Sequence, residues 1–212
     1  MTWTSKELDR SQNTSIEKMR DDKLPDLRDL ALSGEAEQHA VIAKVFEDSQ
    51  ELLNVVTPLL SSTTPDTYEL FISRVRQDLK ALAPSLHKPA DPSNVVNHRR
   101  LDAILNAHPR LGEKKANLSA SSAAEQANLQ SSTDQAQAKE LDRLNTEYET
   151  RFEGLRYLVF VNGRGRPEVF DDMRRRIDRG DAWAERMEAV DALCDIAADR
   201  VQKIGVANSV NQ

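Results

Sequence analysis

Apolar residues recur along most of this chain at steps of three and four, the repeat of helices with one buried face. Residues 1–23 are polar without a sustained period and read as an N-terminal arm. At Leu24-Pro25 the pattern changes, and a short helix is expected to run to Ser33, with Gly34 as its C-cap. His39, Ile42 and Phe46, with Val41 and Val45, mark an amphipathic helix from Glu35 to about Glu47. Leu52, Leu53, Val56 and Leu59 mark another over 49–60. Thr64-Pro65 supplies a capping hydroxyl and an N1 proline for a helix carrying Tyr68, Phe71, Val75, Leu79 and Leu82. Pro84 to Ser93, with three prolines, is a loop. Asn94 to Asn106 is helical again, with Leu101, Ile104 and Leu105 inward.

In the second half, Leu141, Leu144, Tyr148 and Phe152 stripe a long helix from Asp134, and Gly154 is placed to end it. Leu155 to Val161 is a short apolar run closed by Asn162-Gly163. Periodicity cannot separate a buried strand from a buried connector, but no second strand pattern exists to pair with it, so it reads as a connector among helices. Pro167 opens a helix with Val169, Phe170, Met173 and Ile177 inward, and Asp181 caps the last one. That helix carries Trp183, Met187, Val190, Cys194, Ala197, Val201 and Ile204. The expected fold is all-α: a single-domain helical bundle over 24–207 with one short extended connector and a tail at 208–212.

Composition agrees: 212 residues suffice for a real core, while aromatics at 5% and only 7 glycines disfavour a sandwich or barrel. A net charge of −6 argues against a nucleic-acid footprint, which needs a basic surface. No apolar run approaches the roughly 20 residues that span a bilayer. The N-terminus lacks an apolar signal core and the C-terminus is not a Ser-Lys-Leu address, so the expectation is a cytoplasmic protein, with peroxisomal import by another route as the alternative. Cys194, the single cysteine, excludes an internal disulfide and a cysteine-rich zinc site and reads as a packed thiol.

Candidate chemistry concentrates between Ile104 and Gln126. Of the four histidines, none pairs at metal-site spacing. His108 differs because Pro109 follows it. Proline pushes its predecessor out of the helical region, so the helix should end near Ala107 with His108 on a fixed backbone. Two readings stand: a helix stop whose imidazole caps the last carbonyls, or a proton-transfer group titrating near neutrality. Ser122-Ala123-Ala124-Glu125 fits a capping box, which is architectural, while the same helix start could receive an anion. Arg200 lies in line with Leu193, Ile196 and Ile204, so it either snorkels outward or meets a buried anion. Arg174-Arg175-Arg176 reads as a solvated helix face.

Together these residues resemble a known family. His108-Pro109-x-Leu111-Gly112, Leu118-Ser119-x-x-Ser122-x-x-Glu125-Gln126 and Leu144-Asn145-x-x-Tyr148-x-x-Arg151-Phe152 are similar to the signature run of the 2-oxo-4-hydroxy-4-carboxy-5-ureidoimidazoline (OHCU) decarboxylases. Phe46-Glu47-x-Ser49 and Ile196-x-x-x-Arg200-Val201 look like further landmarks of that family. Two departures stand out. Phe152-Glu153-Gly154-Leu155-Arg156-Tyr157 is one residue longer than the family's Phe-Gly-Phe-Pro-Phe, and Asn162 replaces a common arginine, with Arg164 two residues on.

The resemblance implies an all-helical, homodimeric carboxy-lyase with a small-molecule substrate and no metal or organic cofactor. It would convert OHCU to (S)-allantoin in urate degradation. By position, His108 would be the acid/base, with Glu125 and Arg200 completing the catalytic set. Pro109, Ser122, Ala123, Ala124, Glu125, Gln126 and the connector Tyr157, Leu158, Val159, Phe160 and Val161 would hold the ring and ureido group. The competing readings are a non-catalytic helical interaction module, and the same fold acting on another ureido or imidazole substrate.

Overall fold

A computed structural model describes residues 23–62, 64–83, 92–113, 121–123 and 135–207. The N-terminal arm, most of the proline loop, the start of the long helix at Asp134 and the C-terminal tail lie outside the described residues. The described part is helical, and its one piece of β-pairing is a single parallel bridge between Leu24 and Val206.

The N-terminal half is a series of short helices whose starts are set by side-chain caps. Helix α1 (Leu27–Leu32) is opened by Asp26, whose carboxylate accepts the Arg28 N–H. Gly34, expected as its C-cap, instead precedes α2 (Glu35–Val45) as the N-cap; Ser33 closes α1, its hydroxyl donating to the Leu30 carbonyl. Helix α3 (Gln50–Ser62) follows, with the Ser49 hydroxyl accepting the Leu52 N–H. Thr64 was expected to start the next helix, but its hydroxyl donates to the Leu60 carbonyl and so finishes α3. Thr67 is the cap of α4 (Tyr68–Leu82), accepting from the Leu70 N–H. Both threonines cap, at opposite helix ends, because only Pro65 and Asp66 lie between them.

Helix α5 (Pro92–Asn106) begins at a proline, two residues before the expected start. Helices α6 (Gln135–Arg151), α7 (Arg166–Arg179) and α8 (Ala182–Ile204) form the C-terminal half, with Asp181 accepting the Trp183 and Ala184 N–H groups at the start of α8. Between α6 and α7 the connector is extended and unpaired, as its sequence suggested. Leu155, Tyr157, Leu158, Val159 and Val161 are buried in it, and Phe160 is half-buried. Asn106 anchors its start, donating to the Gly154 carbonyl at 2.6 Å and accepting the Arg156 N–H at 2.9 Å.

Helix α8 is the core element, packed on α2, α4 and α5. Val190, Leu193, Cys194, Ala197 and Val201 meet an α4 stripe of Phe71, Val75 and Leu79, all buried. Burial pushes the Cys194 thiol up to about 12, which keeps it an inert packed group. Trp183 is the exception to its stripe at 40% exposure; one turn on, the α5 contact is polar, Arg186 clasping both oxygens of Asp102 at 2.8 and 2.9 Å.

The expected solvated face of Arg174, Arg175 and Arg176 is corrected at its last member. Arg176 is 5% exposed, over the Tyr157 ring and paired with Glu185 at 2.9 Å, Asp172 at 2.9 Å and Glu188 at 3.0 Å. Consecutive helical residues diverge by about 100°, so Arg176 falls in line with the buried Val169 and Met173 while Arg174 and Arg175 face outward.

Candidate active site

His108 is held from both sides. Its own N–H and that of Ala107 donate to the Leu105 and Ile104 carbonyls, each at 3.3 Å, a tightened last turn that Pro109 forbids to continue. Beyond Pro109, the turn is clamped to α6: the Leu111 carbonyl accepts from Asn145 at 3.0 Å, and Arg110 reaches Glu149 at 2.7 Å and Asp142 at 2.9 Å. Gly112 is required here, because at φ +84° an added Cβ would also lie 2.7 Å from Leu141 Cδ2. The imidazole between these anchors is 9% exposed.

Among the described residues, the carboxylate that faces it is Glu47, at the corner after α2. Glu47 has φ +133°, a conformation that L residues adopt at a cost of about 1–3 kcal/mol. That backbone turns the side chain inward. Its Oε1 accepts from the Ser122 hydroxyl at 2.5 Å and from Arg200 Nη2 at 2.6 Å, and lies 3.8 Å from His108 Nδ1. Arg200, 2% exposed on α8, also donates to Ser122 Oγ at 3.2 Å and to the Val45 carbonyl at 3.4 Å. Nδ1 of His108 is itself buried without a hydrogen-bond partner.

Of the two readings left open for Arg200, the buried anion holds, and among the described residues Glu47 is such an anion. Ser122, in a helical turn at 121–123, joins the cluster together with His108; Ala123 is half-buried in the same turn, and Pro109 is half-buried beside His108. Ala124, Glu125 and Gln126 lie outside the described residues. The connector's hydrogen bonds run elsewhere: the Tyr157 hydroxyl donates to Asp172 and the Leu158 carbonyl accepts from Arg176. Glu47 is the residue that sequence reasoning quoted without giving a role. Its signal was an acidic residue directly after the inward Val45-Phe46, at the end of an amphipathic helix.

Electrostatics fix the resting state. Burial pushes the His108 pKa well below its ordinary value, the Arg200 charge pushes the same way, and Glu47 opposes in part. At neutral pH the imidazole is therefore uncharged, with one nitrogen able to donate and the other to accept. A fixed cation, a carboxylate, a hydroxyl and a neutral imidazole can together bind an anion and move a proton next to it. Among the described residues no three His, Cys, Asp or Glu side chains are grouped to hold a metal ion. No helix among them is long and apolar enough to cross a membrane.

A search of curated proteins gives no match. The family model described as OHCU decarboxylase matches residues 32–202, a span that contains Glu47, His108, Ser122 and Arg200. By that match over most of its length, this helical chain belongs to the OHCU decarboxylase family of carboxy-lyases, enzymes of purine degradation.

Proposed function

We propose that the protein decarboxylates OHCU to (S)-allantoin in urate degradation, as a cytoplasmic homodimer and without a cofactor. The observation that carries this reading is the buried His108 imidazole 3.8 Å from Glu47, whose carboxylate is paired at 2.6 Å with the buried Arg200. Decarboxylation breaks the bond between the ring carbon and the carboxylate, CO2 departs, and the bonding pair stays on carbon. The adjacent ring carbonyl and imine absorb that pair, so the protein must orient the carboxylate, stabilise the developing anion and supply a proton to one face. Arg200 provides the fixed positive charge, and His108 provides the proton. By its place in the motif, Glu125 holds the substrate's donors. Pro109, the segment Ser122 to Gln126 and the connector Tyr157 to Val161 enclose the ring and ureido group.

The test generates OHCU in situ from urate and follows the circular dichroism of allantoin. Faster decay with one enantiomer produced is the expected result. A racemic product formed at the uncatalysed rate overturns the reading.

A further inference from the structure

The connector between α6 and α7 is extended but pairs with no strand among the described residues, so its backbone groups must find other partners. Three side chains supply them. Asn106 takes the Gly154 carbonyl and the Arg156 N–H at the start, and Arg176 donates to the Leu158 carbonyl at 3.3 Å in the middle. Arg164 donates to the Phe160 and Val161 carbonyls at the end. Arg164 lies in the turn just after the connector, and Arg176 in the helix that follows. Asn106 comes from elsewhere in the chain, as the last residue of α5.

A primary amide offers an acceptor and a donor side by side, so one asparagine can bond the carbonyl of one residue and the N–H two residues on, as a residue of a parallel strand would. Here that pairing brackets Leu155, which is buried. It also follows the place where this chain is one residue longer than the run it resembles. At that place the Leu155 N–H closes a turn on the Phe152 carbonyl at 3.0 Å, and Gly154 takes φ +87°, which suits glycine. Past the turn, the Asn106 amide fixes where the extended chain begins. Asn106 is also two residues from His108, and the Ala107 and His108 N–H groups between them are bonded back into α5. One side chain therefore ties the connector to the segment that holds the imidazole.

We propose that Asn106 is a positioning residue that sets the register of Tyr157 to Val161 against His108, so that the part of the substrate held by the connector meets the imidazole at a fixed place. It acts through the backbone it holds, not on the reacting atoms. The extra residue of this chain makes such a latch necessary, because a longer connector could otherwise enter the site in more than one register. The inference rests on the decarboxylase reading, in which the connector encloses the ring and ureido group.

Two measurements on the full chain test it. In turnover of OHCU, Asn106→Ala is expected to raise KM about tenfold while kcat stays within about threefold of wild type, because alignment of a bound segment is lost and the proton-transfer group is not. In amide hydrogen exchange, the Arg156 N–H should be protected in the wild type although its residue is exposed, and should exchange at least about tenfold faster in Asn106→Ala, with the α8 amides unchanged. An unchanged KM in a variant whose Arg156 amide has lost its protection overturns the proposal, as does an Arg156 amide unprotected in a wild-type protein that makes (S)-allantoin; both leave the decarboxylase reading standing. A wild-type protein that leaves OHCU at its uncatalysed rate removes both.

Discussion

Arg176 with Glu185 and Arg200 with Glu47 are both arginine–glutamate pairs taken out of water, and they are built to different ends. Glu185 is fully buried and accepts on both oxygens, from Tyr148 at 2.5 Å and Arg176 at 2.9 Å on one, and from Arg179 at 3.0 Å on the other. It sits near the start of α8, and these partners come from α6 and α7, all on ordinary helical backbone. Glu47 is drawn from a strained corner, its partners come from three further segments, and beside it stands a buried ring nitrogen with no hydrogen bond. The first cluster holds three helices in register. The second keeps one contact unmade, as a site must if a ligand is to change it.

The sharpest way to break this contrast is to remove one member from each cluster. His108→Asn is expected to lower kcat about 10²–10⁴-fold, the range typical of a lost proton-transfer group, with a largely unchanged melting curve. Steady-state assay beside thermal denaturation checks it; near wild-type turnover in a folded variant would drop His108 from its role. Glu185→Gln should do the reverse. Arg176 keeps Asp172 and Glu188 but loses its most buried partner, so the variant should cost about 1–3 kcal/mol in urea unfolding, while kcat per folded molecule stays near wild type. Comparable losses of turnover in both variants would erase the distinction.

Gly112→Ala probes the frame rather than either cluster. It combines the positive φ with a contact on Leu141, so a loss of about 1–3 kcal/mol is expected by the same unfolding measurement. The most gradual effect is electrostatic. Because the folded pKa of His108 is depressed, the unfolded chain binds the extra proton as pH falls below about 6.5, and the folded state does not. Stability therefore declines by about 1.4 kcal/mol per pH unit in that window on account of this group, levelling off at the folded pKa. His98, whose pKa is also lowered by burial, contributes in the same direction, so the measurement is the wild-type curve minus that of His108→Asn. Superimposable pH dependences would show that His108 is not held neutral.

Much of the architecture was legible because helices with one buried face declare themselves locally. The stripes of α4, α6 and α8, the stop at His108-Pro109 and the Asp181 cap each depend on neighbours within a turn or two. The errors were equally local in origin. Gly34 and Thr64 are cap residues with two helix ends within reach, and the chain alone does not say which end each serves. Arg176 was read with its exposed neighbours because a run of arginines hides the 100° step between them. In the site, motif spacing singled out His108, Ser122 and Arg200, and the apolar stripe around Arg200 left either an outward-reaching side chain or a buried anion.

The sequence by itself thus determined the helical class, the end of α5 just before His108 and the place of an arginine within the apolar stripe of α8, since each follows from periodicity or from the stereochemistry of proline. Only the tertiary structure decided that Arg200 is buried and meets Glu47, 153 residues away in the chain, and that this carboxylate stands 3.8 Å from the imidazole. Pairings across such separations are set by how the helices pack and by a backbone angle at one corner, and neither leaves a period in the sequence.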